Sequence, residues 1–146
     1  MVLVHRYLVV ANQTLGGELL LAKIRELARA GPSAFYVVVP ATPPSDHVWT
    51  EEEAAKLATS RLESALERMA RLGLEADGEV GDGSPVLAIE DAIRDRGPFE
   101  AIVLSTLPPG LSRWLRLDLP HRVESAFGLR VIHVIGDPDH VGVARH

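Results

Sequence analysis

Polar side chains follow two apolar segments of the sequence and could hydrogen-bond a small ligand. Ser105 follows the apolar residues 101–104, and Ser112 comes after a turn that contains two prolines and a glycine. Asn12 and Thr14 follow the first apolar segment of the chain. Hydroxyl and amide groups both donate and accept hydrogen bonds, so they suit a small polar ligand. We predict a ligand site at these positions; the alternative is that Thr14 and Ser112 only cap helices and Ser105 satisfies a turn.

Patterns typical of catalysis or metal binding are missing from the sequence. It has no cysteine, and no two of its six histidines have the i, i+4 spacing of a helical zinc site. Ser45, Asp46 and His47 lie in a proline-rich segment without the glycine-flanked turn of a nucleophilic serine. We therefore expect no catalytic residue, no metal and no enzymatic activity. The enzyme alternative is a small hydrolase or transferase at the two polar loops, which needs a paired base and nucleophile.

The length and net charge of the chain limit the number of domains and the classes of function that remain. A chain of 146 residues suits one domain, for which we expect residues 1–138, followed by a polar tail at 139–146. The net charge of −5 argues against nucleic-acid binding, which needs a basic surface. The apolar residues 1–11 contain His5 and Arg6 and lack a cleavage site, so they predict a strand rather than a signal peptide. We expect a cytoplasmic protein with no membrane partner.

Five apolar segments of strand length alternate with helical segments. Strands separated by helices run parallel in right-handed crossovers, which predicts an α/β fold with a three-layer, doubly wound parallel sheet. The expected order is 3-2-1-4-5, and it brings the loops after strands one and four together at the switch point where such folds bind ligands. The predicted strands are residues 7–11, 35–39, 74–80, 101–104 and 129–135.

Helix signals lie between these strands. Thr50 and Glu53 have the spacing of a capping box, in which each side chain accepts from the other's backbone amide. The last helical segment is expected to run to Gly128 as one helix. The residues positioned to cap the four helices are Thr14, Thr50, Ser84 and Ser112.

Three short runs resemble the universal stress protein family. They are residues 81–85, GDGSP, before the third helix; residues 110–113, GLSR, after strand four; and the Arg122-Val123 pair before the last strand. The resemblance covers nearly the whole chain. It implies the five-stranded universal-stress-protein-like fold, also described as adenine nucleotide alpha hydrolase-like, and a dimer formed through the last strand.

The resemblance also implies an ATP site, but the chain departs from its motif. Members that hold ATP carry G-x-x-G, nine residues, then G-[ST] after strand four. Aligning the GLSR run places the three glycines and the final serine or threonine of the motif on Leu104, Leu107, Leu117 and Asp118. The family's aspartate at the end of strand one, which resembles a base-contacting residue, falls on Asn12.

These departures should weaken phosphate binding. Glycine lets backbone amides approach phosphate oxygens, whereas leucine adds a bulky side chain. Pro108 and Pro109 remove two amide donors from the same loop. The Asp118 carboxylate adds a repulsion of about 1 kcal/mol at about 4 Å in water. ATP and AMP are therefore disfavoured as ligands, and no cofactor is expected.

The function expected from these observations is that of a non-enzymatic, dimeric binding or regulatory module that has lost ATP binding. The identity of its small-molecule ligand stays open. The alternative is an atypical nucleotide-binding member, which would recognise adenine through Asn12 and the end of strand two around Val39.

Strand five is the expected dimer interface. In the predicted order it is an edge strand, and edge strands that are apolar on both faces tend to pair with another chain. The residues expected at this edge are Leu129, Val131, His133 and Ile135.

Two further side-chain pairs have two interpretations each. Trp49 and Trp114 are either stacking surfaces for a ligand or aromatic anchors in the core or at a subunit contact. Arg113 and Arg116 lie about one helical turn apart and either bind an anion or face solvent.

Overall fold

A computed structural model describes residues 3–43 and 48–136. The Ser45–His47 segment and the predicted tail at 139–146 lie outside the described residues. Ten elements follow one another along the chain: β1 (His5–Val10), α1 (Glu18–Ala30), β2 (Ser33–Pro40), α2 (Glu51–Arg71), β3 (Glu75–Gly81), α3 (Pro85–Arg96), β4 (Ala101–Thr106), α4 (Arg113–Arg116), α5 (Leu119–Phe127) and β5 (Arg130–Ile135).

The five strands form one parallel sheet in the order β3-β2-β1-β4-β5, which confirms the predicted topology. β1 and β4 are central, and Val10 lies beside Leu104 in the register of that pair. Their polar continuations therefore meet at one edge of the sheet. No helix within the described residues is long and apolar enough to cross a membrane.

Helices cover both faces of the sheet. Because the side chains of a strand alternate between its two faces, each central strand contributes apolar side chains to both cores. Val9 and Val103 pack against α1 and α2, whereas Leu8 and Ile102 pack against α3 and α5. All four side chains are fully buried. The continuous apolar segments are thus central strands with a core on each side, as expected of a parallel sheet.

Only some of the predicted helix caps make their hydrogen bonds. The capping box of α2 is confirmed: the Glu53 amide donates to Thr50 Oγ1, and the Thr50 amide to Glu53 Oε1, each at 3.0 Å. The prediction that Thr14 caps α1 is wrong, since the N-cap is Gly17 and makes no side-chain bond. Ser84 stands at the N-cap of α3, but its hydroxyl makes no cap bond.

The last helical segment is two helices rather than one. The amides of Leu117 and Asp118 close the turn that ends α4 by donating to Trp114 O at 3.2 Å and Leu115 O at 3.0 Å. Asp118 then adopts a left-handed conformation with φ of 54°. Pro120, in the first turn of α5, cannot donate to a preceding turn, so α4 cannot continue into α5.

Candidate functional site: the carboxyl ends of β1 and β4

The structure brings four of the predicted ligand-binding residues to one small pocket. Asn12, Thr14, Ser105 and Ser112 line it together, and all four are buried. The free volume of the pocket is about 50 Å³. Ligand pockets usually measure about 300–1,000 Å³, whereas a water molecule occupies about 30 Å³ of liquid. The structure therefore brings these four residues together, but their own side chains nearly fill the pocket between them.

The Asn12 side chain makes three hydrogen bonds within the protein. Its Nδ2 donates to Pro40 O at 2.8 Å and to Thr42 O at 3.1 Å. Its Oδ1 accepts from Arg61 NH1 at 2.6 Å. The residue is 6% exposed. The amide thus joins the end of β1 to the end of β2 and to α2, and both of its donor hydrogens are already engaged.

Thr14 and Ser105 satisfy each other. Their hydroxyl oxygens are 2.6 Å apart, across the gap between the loop after β1 and the end of β4. Gly136 packs over the pair, and a Cβ at that position would lie 3.3 Å from Ser105 Oγ and from Thr14 Cβ. The contact joins the ends of the two central strands beneath Gly136, the residue after β5. It therefore has a structural role in this conformation.

The other two predicted residues also have local roles. Ser112 caps α4, because its Oγ accepts from the Leu115 amide at 3.1 Å. Val39 is fully buried, so its side chain cannot contact a ligand at the end of β2.

The loop after β4 offers few free amides. The amides of Leu111 and Ser112 both donate to Pro108 O, at 3.0 and 3.1 Å. Pro108 and Pro109 have no amide hydrogen. Leu104, at one of the family's glycine positions, is fully buried in β4. Two residues of the loop thus have no amide donor, and the amides of Leu111 and Ser112 are used within the loop.

Thr106 and His133 form a contact that the sequence analysis did not identify. Thr106 Oγ1 and His133 Nε2 are 2.8 Å apart. Burial lowers the pKa of the His133 imidazole from its ordinary value. Parallel pairing of Thr106 with Ile135 places His133, two residues earlier on β5, on the same face. Thr106 is only 2% exposed, whereas His133 is exposed, so the pair joins the buried end of β4 to the edge strand β5.

A larger groove adjoins the small pocket. It has a volume of about 770 Å³ and lies between the start of α2, the loop before α3, and α4. Trp49 and Trp114 both line it. Arg113 lines the groove and the small pocket. Within residues 3–43 and 48–136, no three histidine, aspartate or glutamate side chains are placed to hold a metal ion.

The sheet order, the switch-point pocket and the helices on both faces define a doubly wound α/β domain. The fold is universal-stress-protein-like, as comparison with solved structures shows. A crystal structure of a universal stress protein family member from Burkholderia pseudomallei superposes with a TM-score of 0.58 at 17% identity, covering 88% of this chain and 94% of that chain. A universal stress protein in complex with cAMP superposes with a TM-score of 0.58 at 19% identity, covering 91% of this chain and 98% of that chain.

Sequence comparison gives no match. No protein-family model matches the chain, and no curated protein matches it. The similarity to universal stress proteins is therefore a similarity of fold.

Replacing Asn12 by alanine should destabilise the fold. The Pro40 and Thr42 carbonyl oxygens and the Arg61 guanidinium would each lose their hydrogen bond to Asn12, and a buried group that loses its bond costs about 1–3 kcal/mol. We expect the free energy of unfolding to fall by about 2–3 kcal/mol, measured by urea denaturation. Gln13→Ala is the matched control, because the neighbouring Gln13 is part-exposed. Equal stability of the two variants would contradict the structural role of Asn12.

The lowered pKa of His133 should make stability depend on pH. Unfolded His133 takes up its proton near pH 6.5, before the folded form does. Its contribution is therefore fully present above about pH 6.5 and decreases as the pH falls toward the folded pKa. We expect His133→Gln, measured by urea denaturation between about pH 7 and about pH 5, to lose less stability on acidification than the wild type. An unchanged slope would show that His133 does not titrate differently on folding.

Proposed function

We propose that this protein is a universal stress protein that acts as a non-enzymatic, dimeric binding or regulatory module and has lost the family's ATP site. The observation that carries the proposal is that Pro40 and Thr42 engage both amide hydrogens of Asn12 and that Arg61 donates to its oxygen. The fold supports the family assignment, and the contacts at the switch point support the loss of nucleotide binding.

On the base side of the site, a nucleotide would compete with existing bonds. A nucleotide acceptor that bonds Asn12 Nδ2 must displace the carbonyl oxygen of Pro40 or Thr42, because both amide hydrogens are in use. A nucleotide donor must reach Asn12 Oδ1 beside the Arg61 guanidinium, which already donates to that oxygen. Exchanging one hydrogen bond for another contributes little net free energy, whereas a displaced buried group left without a partner costs about 1–3 kcal/mol. Recognition of a nucleotide acceptor by Asn12 Nδ2 is therefore disfavoured in this conformation.

On the phosphate side, charge and donors both disfavour a triphosphate. Leu111 and Ser112 donate to Pro108, and the two prolines of the loop supply no donor. Asp118, which stands where the family has serine or threonine, places its carboxylate toward His121 at 3.3 Å. A negative ligand would gain few hydrogen bonds here and would meet an added negative charge.

The non-enzymatic role rests on the partners of the site hydroxyls. Ser112 Oγ accepts from a helix amide, and Ser105 Oγ is paired with the Thr14 hydroxyl rather than with a base. Thr106 has a histidine partner but is 2% exposed. A nucleophile must combine an adjacent base with access to substrate, and none of these three residues has both.

One observation favours a second candidate function. A structure of the same fold holds cAMP, so the scaffold accommodates an adenine nucleotide in at least one protein. An atypical nucleotide-binding role would require Arg61 to withdraw from Asn12, so that the amide becomes available at the end of β2.

The dimer is proposed to form through β5. This strand ends the sheet beyond β4. The Val131 amide donates to Glu124 Oε2 at 3.3 Å, away from β4. Because alternate residues of a strand direct their amides to the same side, His133 and Ile135 direct theirs to the open edge as well. Ile135 is 45% exposed at this edge, while Leu129 and Val131 pack partly into the core.

Titration with ATP, AMP and cAMP tests the loss of nucleotide binding. We expect calorimetry to show no dissociation constant below about 10 μM, which corresponds to about 7 kcal/mol. Binding tighter than this would overturn the proposal. If such binding were lost in Asn12→Ala, the atypical nucleotide-binding function would replace it.

A charge at the open edge should separate the dimer. A lysine in place of Ile135 would bring like charges together across paired β5 strands, as edge lysines do in natural sheets. We expect sedimentation equilibrium to give a dimer for the wild type and a monomer for Ile135→Lys. Leu87→Lys, at a residue that is 48% exposed on α3, is the control and should remain dimeric. A monomeric wild type, or a dimeric Ile135→Lys, would contradict the β5 interface.

A further inference from the structure

The groove beside the closed pocket contains both tryptophans of the chain; we call it the tryptophan groove. Its walls include Trp49, Ala54, Asp82, Ser84, Arg113 and Trp114. Its volume of about 770 Å³ falls within the usual range of ligand pockets, about 300–1,000 Å³. The closed pocket at Asn12 falls far below that range.

The geometry points to the tryptophan groove as the binding site of a planar aromatic carboxylate, with its ring against the indoles and its carboxylate on Arg113. The inference deepens the proposed binding function by assigning it a site and a ligand class. It does not depend on the dimer or on the fate of the nucleotide site.

The aromatic preference follows from the indoles. Trp114 is 8% exposed and packs with the core on the α3 and α5 side of the sheet, so the part that reaches the groove is held rigidly. Trp49 lines the same groove from the segment before α2. Flat aromatic surfaces favour offset-stacked or edge-to-face contact with another ring. A rigid indole also loses little conformational entropy when a ligand binds.

The preference for a negative charge follows from Arg113. Its guanidinium makes no ion pair or hydrogen bond within the described part of the chain, and it borders both cavities. A guanidinium binds a carboxylate through two parallel hydrogen bonds. Ser84 adds a further donor on the groove wall, because its hydroxyl makes no cap bond to α3.

Two acidic residues also line the groove, but both are compensated locally. Asp82 Oδ1 accepts from the Ser84 amide at 2.8 Å. Glu51 lies in the first turn of α2, where the positive end of the helix dipole stabilises a carboxylate. Arg113 has no hydrogen-bond or ion-pair partner within the described residues, so its guanidinium is the charged group of the groove that a ligand can pair with directly.

Three probes with one ring system test the inference: 2-naphthoate, 2-naphthamide and 2-naphthylmethylammonium. They carry charges of −1, 0 and +1 on the same naphthalene. Binding is followed by the two indole N–H signals in ¹H–¹⁵N correlation spectra, because the chain has two tryptophans. We expect 2-naphthoate to shift both signals saturably, with a dissociation constant below about 1 mM, and to bind more tightly than the other two probes.

Substitution of Arg113 tests whether its guanidinium is the group that binds the carboxylate of the ligand. Arg113→Gln should weaken 2-naphthoate binding by about tenfold and bring it close to that of 2-naphthamide. Arg116→Gln removes the same charge one turn away and outside the groove lining, so it should leave binding unchanged. Far-ultraviolet circular dichroism of each variant checks that α-helical content is retained.

Each other outcome overturns the inference. Unshifted indole signals would exclude the groove as an aromatic site. Tighter binding of the ammonium probe would show that Glu51 and Asp82 set the preference. If Arg113→Gln and Arg116→Gln weakened 2-naphthoate binding equally, the effect would come from the net charge of the protein and not from a contact with Arg113. Tight ATP binding, by contrast, would contradict only the loss of the nucleotide site.

Discussion

The carboxyl end of the sheet depends on the side-chain amide of Asn12. The two central strands end there, and their buried carbonyls and hydroxyls must find partners, since water does not reach them. One amide group supplies two donors to the end of β2 and one acceptor to Arg61 of α2. Three elements are thereby fixed relative to one another by a single residue. An aspartate at this position would lack both donors, and the two carbonyls would face a negative charge.

A binding site at a switch point needs polar groups that are buried yet unpaired until the ligand arrives. Such groups cost stability, because a buried donor or acceptor without a partner is unfavourable by about 1–3 kcal/mol. In this chain the corresponding groups pair with each other: Thr14 with Ser105, and Asn12 with Arg61. Within the described residues, no buried side-chain nitrogen or oxygen lacks a partner. The hydrogen bonds that a ligand would make with these groups are already made within the protein.

Local patterns in the sequence were sufficient to predict the sheet and the capping box of α2. Continuous apolar segments imply two covered faces, and the Thr50 and Glu53 spacing acts within one turn. The partner of Thr14 was not predictable in this way, because Ser105 is 91 residues distant in the sequence. A threonine hydroxyl is satisfied equally by capping a helix and by pairing with another hydroxyl. The role of Arg61 was missed because nothing in the α2 sequence distinguishes it from the other arginines of that helix. Such contacts are decided by packing, which a single sequence does not record.

The segment after β4 connects the closed pocket to the open groove. Two prolines in the loop have no amide hydrogen to donate. The helix that follows, α4, ends after one turn, because Asp118 adopts a left-handed conformation and Pro120 cannot extend the helix. That short helix places Trp114 in the core and leaves Arg113 at the boundary of the two cavities. A long helix with small residues in its loop would instead present backbone amides toward the switch point. Few phosphate donors in this loop, together with Arg113 and Trp114 beside the groove, are the physical basis for locating binding there rather than at Asn12.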